Sequence, residues 1–318
     1  MQKNNFTFLW GCCRDYIDYM CTDIKVYRNV KCRNKYSQQC IWDEKKKEFE
    51  KLLRNKTIGR RIFEAWLKNE LNIRKNCKNY LIFTEDYLKC INWDDLRLMR
   101  DRFDIFAVLY IDDPIEKRMN QYTNQLEKYR DKFDLLISTD NLDATKYDIS
   151  FFPLIYSQPK LVDSPDVYYD LSFVGYDKGR EKLLREINGK AKSSKLKTFI
   201  KCYKERKFTS NKLMDYGEII DVVKKSNCIL EVVQKGQSAI TLRTLEAVYY
   251  RKKLLTNNTN IKKYSFYDPR YIQIFTNIDE IDFDFVKEKI NINYKYHNEC
   301  SPINLVRYIE RMSKKIAI

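Results

Sequence analysis

The stretch CILEVVQKGQSAITLRTLEAVYYRKKLLTNN, residues 228–258, decides the fold. It opens on a short apolar run, Cys228 to Val233, which reads as a buried strand. A loop of Gln234, Lys235, Gly236, Gln237 and Ser238 follows. A helix then begins near Thr241, with Leu242, Leu245 and Val248 at helical spacing as its core face, and Lys253 to Thr256 reads as the next strand. Arg243 and Glu246 fall three apart and are expected on a different face from that apolar row. A carboxylate placed there can accept both hydroxyls of a ribose, while Arg243, Lys235 and the loop amides can hold phosphate. The competing reading is a solvated Arg–Glu pair on a helix surface.

Outward from this segment the same alternation of short apolar runs and helical periods continues in both directions, the pattern of an α/β fold with mostly parallel sheets. Downstream lie a strand at Tyr271 to Phe275, a helix at Phe283 to Lys289 and a last helix at Ile303 to Lys315. Upstream, strands are expected at Tyr169 to Gly175 and Lys197 to Tyr203, with helices at Lys178 to Ile187 and Tyr216 to Lys225. In the first half the expected strands are Phe6 to Trp10, Tyr80 to Thr84, Asp104 to Ile111, Asp134 to Ser138 and Phe151 to Ile155. Helices fall between them at Asp43 to Arg54, Gly59 to Leu71, Trp93 to Asp101 and Pro114 to Tyr129, and Cys12 to Cys40 shows no period. The segment from Tyr156 to Val167, with two prolines and no apolar period, reads as a connection. The expected organisation is therefore an N-terminal Rossmann-like domain over 1–160, a second over 161–300, and a C-terminal helix over 301–318 that packs back toward the first, the two domains facing a cleft at the carboxyl ends of their strands.

Composition narrows the function. At 318 residues with 44% hydrophobic and 33% charged residues, the chain is globular rather than disordered. No stretch reaches the length of an apolar membrane span, and the N-terminus lacks the features of a secretory signal, so a cytoplasmic protein is expected. Ten cysteines without paired zinc-type spacing read as reduced thiols. The one histidine, His297, leaves little basis for histidine-based catalysis or a histidine metal centre. Net charge is +16, and residues 181–212 carry eleven Lys and Arg against three Glu, half of that excess. A solvated face is the plain reading; an anionic membrane or polyanion patch is the functional one. Nucleic-acid binding is not expected, because no recognition module can be read.

A second segment, YYDLSFVGYDKGREKLLREI over residues 168–187, gives a strand, a turn at Gly175, and a helix opened by Asp177, Lys178, Gly179 and Arg180. Glycine permits close backbone approach, and the free N–H groups of a helix start favour an anion. The spacing matches neither the dinucleotide nor the Walker glycine pattern.

From Tyr168 to Pro269, the segments DLSFVGYDKGR, ILEVVQKGQSAITLRTLEAVYYRKKLLTNN and IKKYSFYDP resemble the C-terminal donor domain of bacterial glycosyltransferases of GT-B architecture. The similarity is greatest to lipopolysaccharide and capsular polysaccharide biosynthesis proteins and covers about one third of the chain. It implies a metal-independent transfer of sugar from a nucleotide-sugar donor, bound as substrate without any cofactor, to a glycan or lipid-linked acceptor, with the enzyme peripheral on the inner membrane face. It places Glu246 at the donor ribose. Arg243 and Thr241, with Lys235, Gly236, Gln237 and Ser238, fall near the diphosphate, and Gly175, Lys178 and Arg180 fall on the first donor loop. Where many retaining enzymes carry a glutamate, this chain has Ser238. The alternatives are a basic nucleic-acid or polyanion-binding protein, or a GT-B-like protein without activity.

An inverting course needs a carboxylate in the first half to take the acceptor proton. Asp15, Glu85, Asp86, Asp112 and Asp113 follow expected strands, and Asp15 and Asp112 are the expected bases. The Asp282-Phe283-Asp284 match to a D-x-D metal motif reads as a helix cap, so no metal ligands are expected.

Overall fold

Strand Ile105–Ile111, sequence IFAVLYI, is apolar at every position and buried at every position, which requires a neighbour on both edges and a layer on both faces. The computed structural model supplies them. It describes residues 3–11, 16–34, 41–53, 55–115, 125–160, 166–204, 213–234 and 236–316. The chain divides into two units, residues 1–157 with 301–318, and residues 158–300.

The first unit is a six-stranded parallel sheet of β1 (Lys3–Trp10), β2 (Val30–Asn34), β3 (Cys77–Thr84), β4 (Ile105–Ile111), β5 (Leu135–Ser138) and β6 (Ser150–Phe151). They are ordered β2-β1-β3-β4-β5-β6. Leu9, Leu81, Phe83, Ala107 and Leu109 form one core with Trp42, Phe63 and Leu67 of the helices Ile41–Leu53 and Lys56–Glu70. Elsewhere in this unit Phe6 stacks on Tyr80 with ring centres 4.5 Å apart. The helix Pro302–Ile316 joins this unit: the Tyr80 hydroxyl and Ser313 Oγ are 2.9 Å apart, Asn4 Nδ2 donates to Glu310 at 2.7 Å, and Tyr308 packs on Phe152.

Two expectations need correcting. The segment without a period contains β2, an edge strand pairing Phe6 with Val30. Strand β6 ends at Phe151 rather than Ile155, because Pro153 has no N–H for the ladder; the Tyr110 hydroxyl instead donates to the Pro153 carbonyl and accepts from Ile155 N, both at 3.1 Å.

The second unit is a five-stranded parallel sheet of β7 (Tyr169–Tyr176), β8 (Thr198–Tyr203), β9 (Ser226–Glu231), β10 (Lys253–Thr256) and β11 (Ile272–Ile274). The order is β11-β10-β9-β7-β8. Leu171, Phe173, Leu230 and Leu255 pack on Leu184, Ile187 and Ala191 of the helix Glu181–Ser193. In each sheet the chain builds outward from its first strand to one side and then returns to build on the other. The positions where it reverses, between β1 and β3 and between β7 and β9, are where open α/β sheets leave a crevice at their carboxyl ends.

Candidate functional site

At the reversal in the second sheet two arginines converge on one ring. Arg180 follows the end of β7 and lies with its guanidinium carbon 5.1 Å from the centre of Phe173; Arg243, from the helix Leu242–Tyr249, lies 4.5 Å from the same ring. Main-chain carbonyls hold both. Arg180 Nε and Nη2 donate to Tyr176 O at 3.2 and 3.0 Å, and its Nη1 donates to Val232 O just past β9. Arg243 Nη2 donates to Val174 O. Among the described residues no carboxylate lies within ion-pair distance of either group. Gly175 makes the approach feasible, since a Cβ there would overlap Arg243 Nη2. Burial, and next the neighbouring Arg243, pull the Arg180 guanidinium down to about 10. Burial likewise lowers Arg243, with Glu246 and Glu231 opposing the shift. Two partly desolvated cations tied to carbonyls and facing each other's charge make a site that gains from an anion.

Behind the arginines lies a residue that motif reasoning missed. Glu231, the last residue of β9, is fully buried and accepts from the hydroxyls of Thr241, Thr244 and Thr256, each at 2.6 Å. Thr241 also caps its helix by accepting from Arg243 N at 3.1 Å. One carboxylate thus ties the start of the arginine-bearing helix to the ends of β9 and β10. A lone acid in the apolar run CILEVV was the available signal.

Glu246 is not on an exposed face. It is 3% exposed, its Oε1 accepts from Tyr216 OH at 2.6 Å, and burial raises its carboxyl above the usual range against that hydrogen bond and Arg243. The helix is buried from Thr244 to Tyr249, so the expected separation of an apolar and a polar face does not hold. Glu246 and Arg243 line a cavity of about 10 Å³ with Ser172, Phe173 and Val174, room for about one water.

The first donor loop also differs from expectation. The helix begins at Glu181, and Asp177 Oδ1 accepts from the N–H groups of Arg180 and Glu181 at 2.9 and 2.7 Å. Two donors expected to serve an anion therefore already serve a local carboxylate. Lys178, at φ 46, and Gly179, at φ +80, form the exposed turn. In the later loop Gly236 takes φ +84, Gln237 N donates to Gln234 O at 3.1 Å, and Ser238 is buried with its carbonyl accepting from Asn258. Lys235 lies outside the described residues.

In the first unit, Glu85 follows β3 and Asp112 and Asp113 follow β4. Their carboxylate oxygens lie within 4.8 Å of one another, near enough to share a cation. Asp112 N donates to Glu85 Oε2 at 3.3 Å. Asp15 lies outside the described residues. Asp282 Oδ1 accepts from Asp284 N and Phe285 N, a helix cap. In the basic segment, Arg185 pairs with Glu181, Lys182 with Glu186 and Lys190 with Asp279, while Arg206, Lys207 and Lys212 fall outside the described residues.

No family profile matches this chain. No curated protein matches it either. Among solved structures, one titled as the crystal structure of the glycotransferase of kitacinnamycin aligns over 90% of this chain and 89% of its own, at 7% identity and a TM-score of 0.41. No helix of the described residues is long and apolar enough to cross a membrane.

Proposed function

We propose that this protein is a glycosyltransferase that moves a sugar from a nucleotide-diphosphate donor to a glycan or lipid-linked acceptor. The observation that supports this reading most is the Arg180–Arg243 pair at the reversal of the second sheet. In this reading the pair holds the donor diphosphate, Gly175 lets the Arg243 guanidinium reach its place, and Glu246 meets the ribose once the small cavity beside it opens. The carboxylates of the first unit, Asp112 with Glu85 beside it, serve the acceptor.

In the inverting course the acceptor oxygen attacks the anomeric carbon and its proton passes to a carboxylate. The bond from that carbon to the diphosphate oxygen breaks, and the electron pair leaves with the diphosphate. Charge grows on the leaving group as the reaction proceeds, so cations already fixed there stabilise the transition state more than the ground state.

A thermal-shift series with UDP, GDP and dTDP sugars, and a CMP sugar as the monophosphate control that should give no shift, tests the reading. One nucleotide class is expected to raise the melting temperature, and Arg180→Gln with Arg243→Gln to abolish the rise. No shift with any nucleotide, or the same shift in wild type and double variant, overturns it.

A further inference from the structure

The helices Ile41–Leu53 and Lys56–Glu70 form a hairpin anchored at its base by the buried Trp42, Phe63 and Leu67. At the tip the pattern inverts. Leu52, Leu53, Ile58 and Ile62 are 74%, 36%, 48% and 40% exposed. Single exposed aliphatics need no account, but these four fall within eleven consecutive residues at one turn. The turn itself is also cationic, although Glu50 and Glu64 flank it and Arg60 Nε lies 3.6 Å from Glu64 Oε1. From Lys51 to Phe63 the sequence carries five Lys and Arg and no Asp or Glu, whereas the chain as a whole mixes 60 with 44. Lys51, Lys56, Arg60 and Arg61 are exposed alongside the aliphatics.

The tip is well supported. Asn55 Oδ1 accepts from Thr57 N and Ile58 N at 3.0 and 3.1 Å, capping the second helix. A Cβ at Gly59 would come within 2.8 Å of Glu50 Cα, so the helices meet closely beside the turn. Its aliphatic side chains are thus presented on regular, hydrogen-bonded backbone.

We propose that this hairpin tip docks the protein on an anionic phospholipid bilayer, the aliphatics entering the boundary of headgroups and acyl chains and the cations resting among the phosphates. Both halves of the chemistry point to this occupant. A nucleic acid would use the cations and leave four aliphatics without a role. A second copy of the tip would bring like charges together. The segment around Lys190 differs in degree: Lys182, Arg185 and Lys190 each pair with a carboxylate, whereas of Lys51, Lys56, Arg60 and Arg61 only Arg60 does so among the described residues, with Glu64.

The inference stands apart from the donor reading, because it is tested without nucleotide. The full chain is sedimented with sucrose-loaded vesicles of phosphatidylcholine alone or mixed with phosphatidylglycerol, at low and high salt. Wild type is expected to bind only the anionic vesicles. Replacing Lys51, Lys56, Arg60 and Arg61 by Gln should weaken binding by roughly fivefold for each cation removed. The substitutions Leu52→Ser, Leu53→Ser and Ile58→Ser should remove the fraction that stays bound at high salt, with melting temperature unchanged. Replacing Lys190, Lys192, Lys195 and Lys197 by Gln should leave most of the binding. No vesicle binding by wild type, insensitivity to the serine substitutions, or tighter binding to oligonucleotides than to vesicles would each overturn the proposal.

Discussion

Burial raises the Glu246 carboxyl, so the folded chain holds its proton more tightly than the unfolded chain does. Stability from such a group is present at low pH and lost as pH rises through the folded-state value, which makes its ionised form a liability at neutral pH. Glu246→Gln keeps an acceptor for Tyr216 and removes the desolvated charge. It is expected to hold or raise the melting temperature while weakening nucleotide affinity about tenfold or more. Melting curves and calorimetric titration on one preparation decide it; a lower melting temperature with unchanged affinity contradicts both halves. Gly175→Ala should leave the fold intact, because the added methyl meets only the end of a flexible side chain, yet cut anion affinity by displacing the Arg243 guanidinium. Unchanged affinity in that variant would detach Gly175 from the site. Arg243 and Glu246 could be picked from the sequence by their chemistry. Their burial could not, since it depends on Phe173 and Tyr216, residues distant in sequence that carry no motif.

At the scale of elements, the helix Leu242–Tyr249 owes its position to Glu231. Replacing that carboxylate with valine leaves three threonine hydroxyls, those of Thr244 and Thr256 fully buried, without their acceptor and is expected to destabilise the protein by about 3 kcal/mol or more in denaturant unfolding. A loss no larger than that of a surface substitution would show that the hydroxyls find other partners. The buried strands β3, β4 and β9 were legible because two covered faces demand an apolar run, YLIF, IFAVLYI and CIL in turn. Strand β2 was not, because among its described side chains this edge strand buries Val30 alone, beside Lys31, Cys32 and Arg33. The helix Asn141–Lys146 buries only Ala144 and is too short to show a period. The start of the helix Glu181–Ser193 was misplaced for another reason: Lys178, Gly179 and Arg180, read as its first turn, form a separate turn across which Asp177 accepts from the N–H groups of Arg180 and Glu181.

For the molecule as a whole, two parallel sheets could be read from alternation alone, and their reversal points told where in each unit to look for chemistry. The proposed reaction relies on fixed cations, so sugar transfer is expected to survive EDTA. Abolition by EDTA with rescue by manganese would assign the metal role to Glu85, Asp112 and Asp113, whose clustering needed the ends of β3 and β4 side by side. The helix Pro302–Ile316 has a further consequence. Its unit is interrupted by the whole of residues 158–300, so a ribosome making the chain delivers the middle unit entire before it delivers the final helix of the first. During synthesis the sheet that begins the chain must wait, with Tyr80 and Phe152 uncovered by Ser313 and Tyr308, until more than a hundred further residues have emerged. In this protein the part translated first is the part completed last, and nascent chains stalled near residue 300 should bind chaperones through the first sheet while the second is already closed.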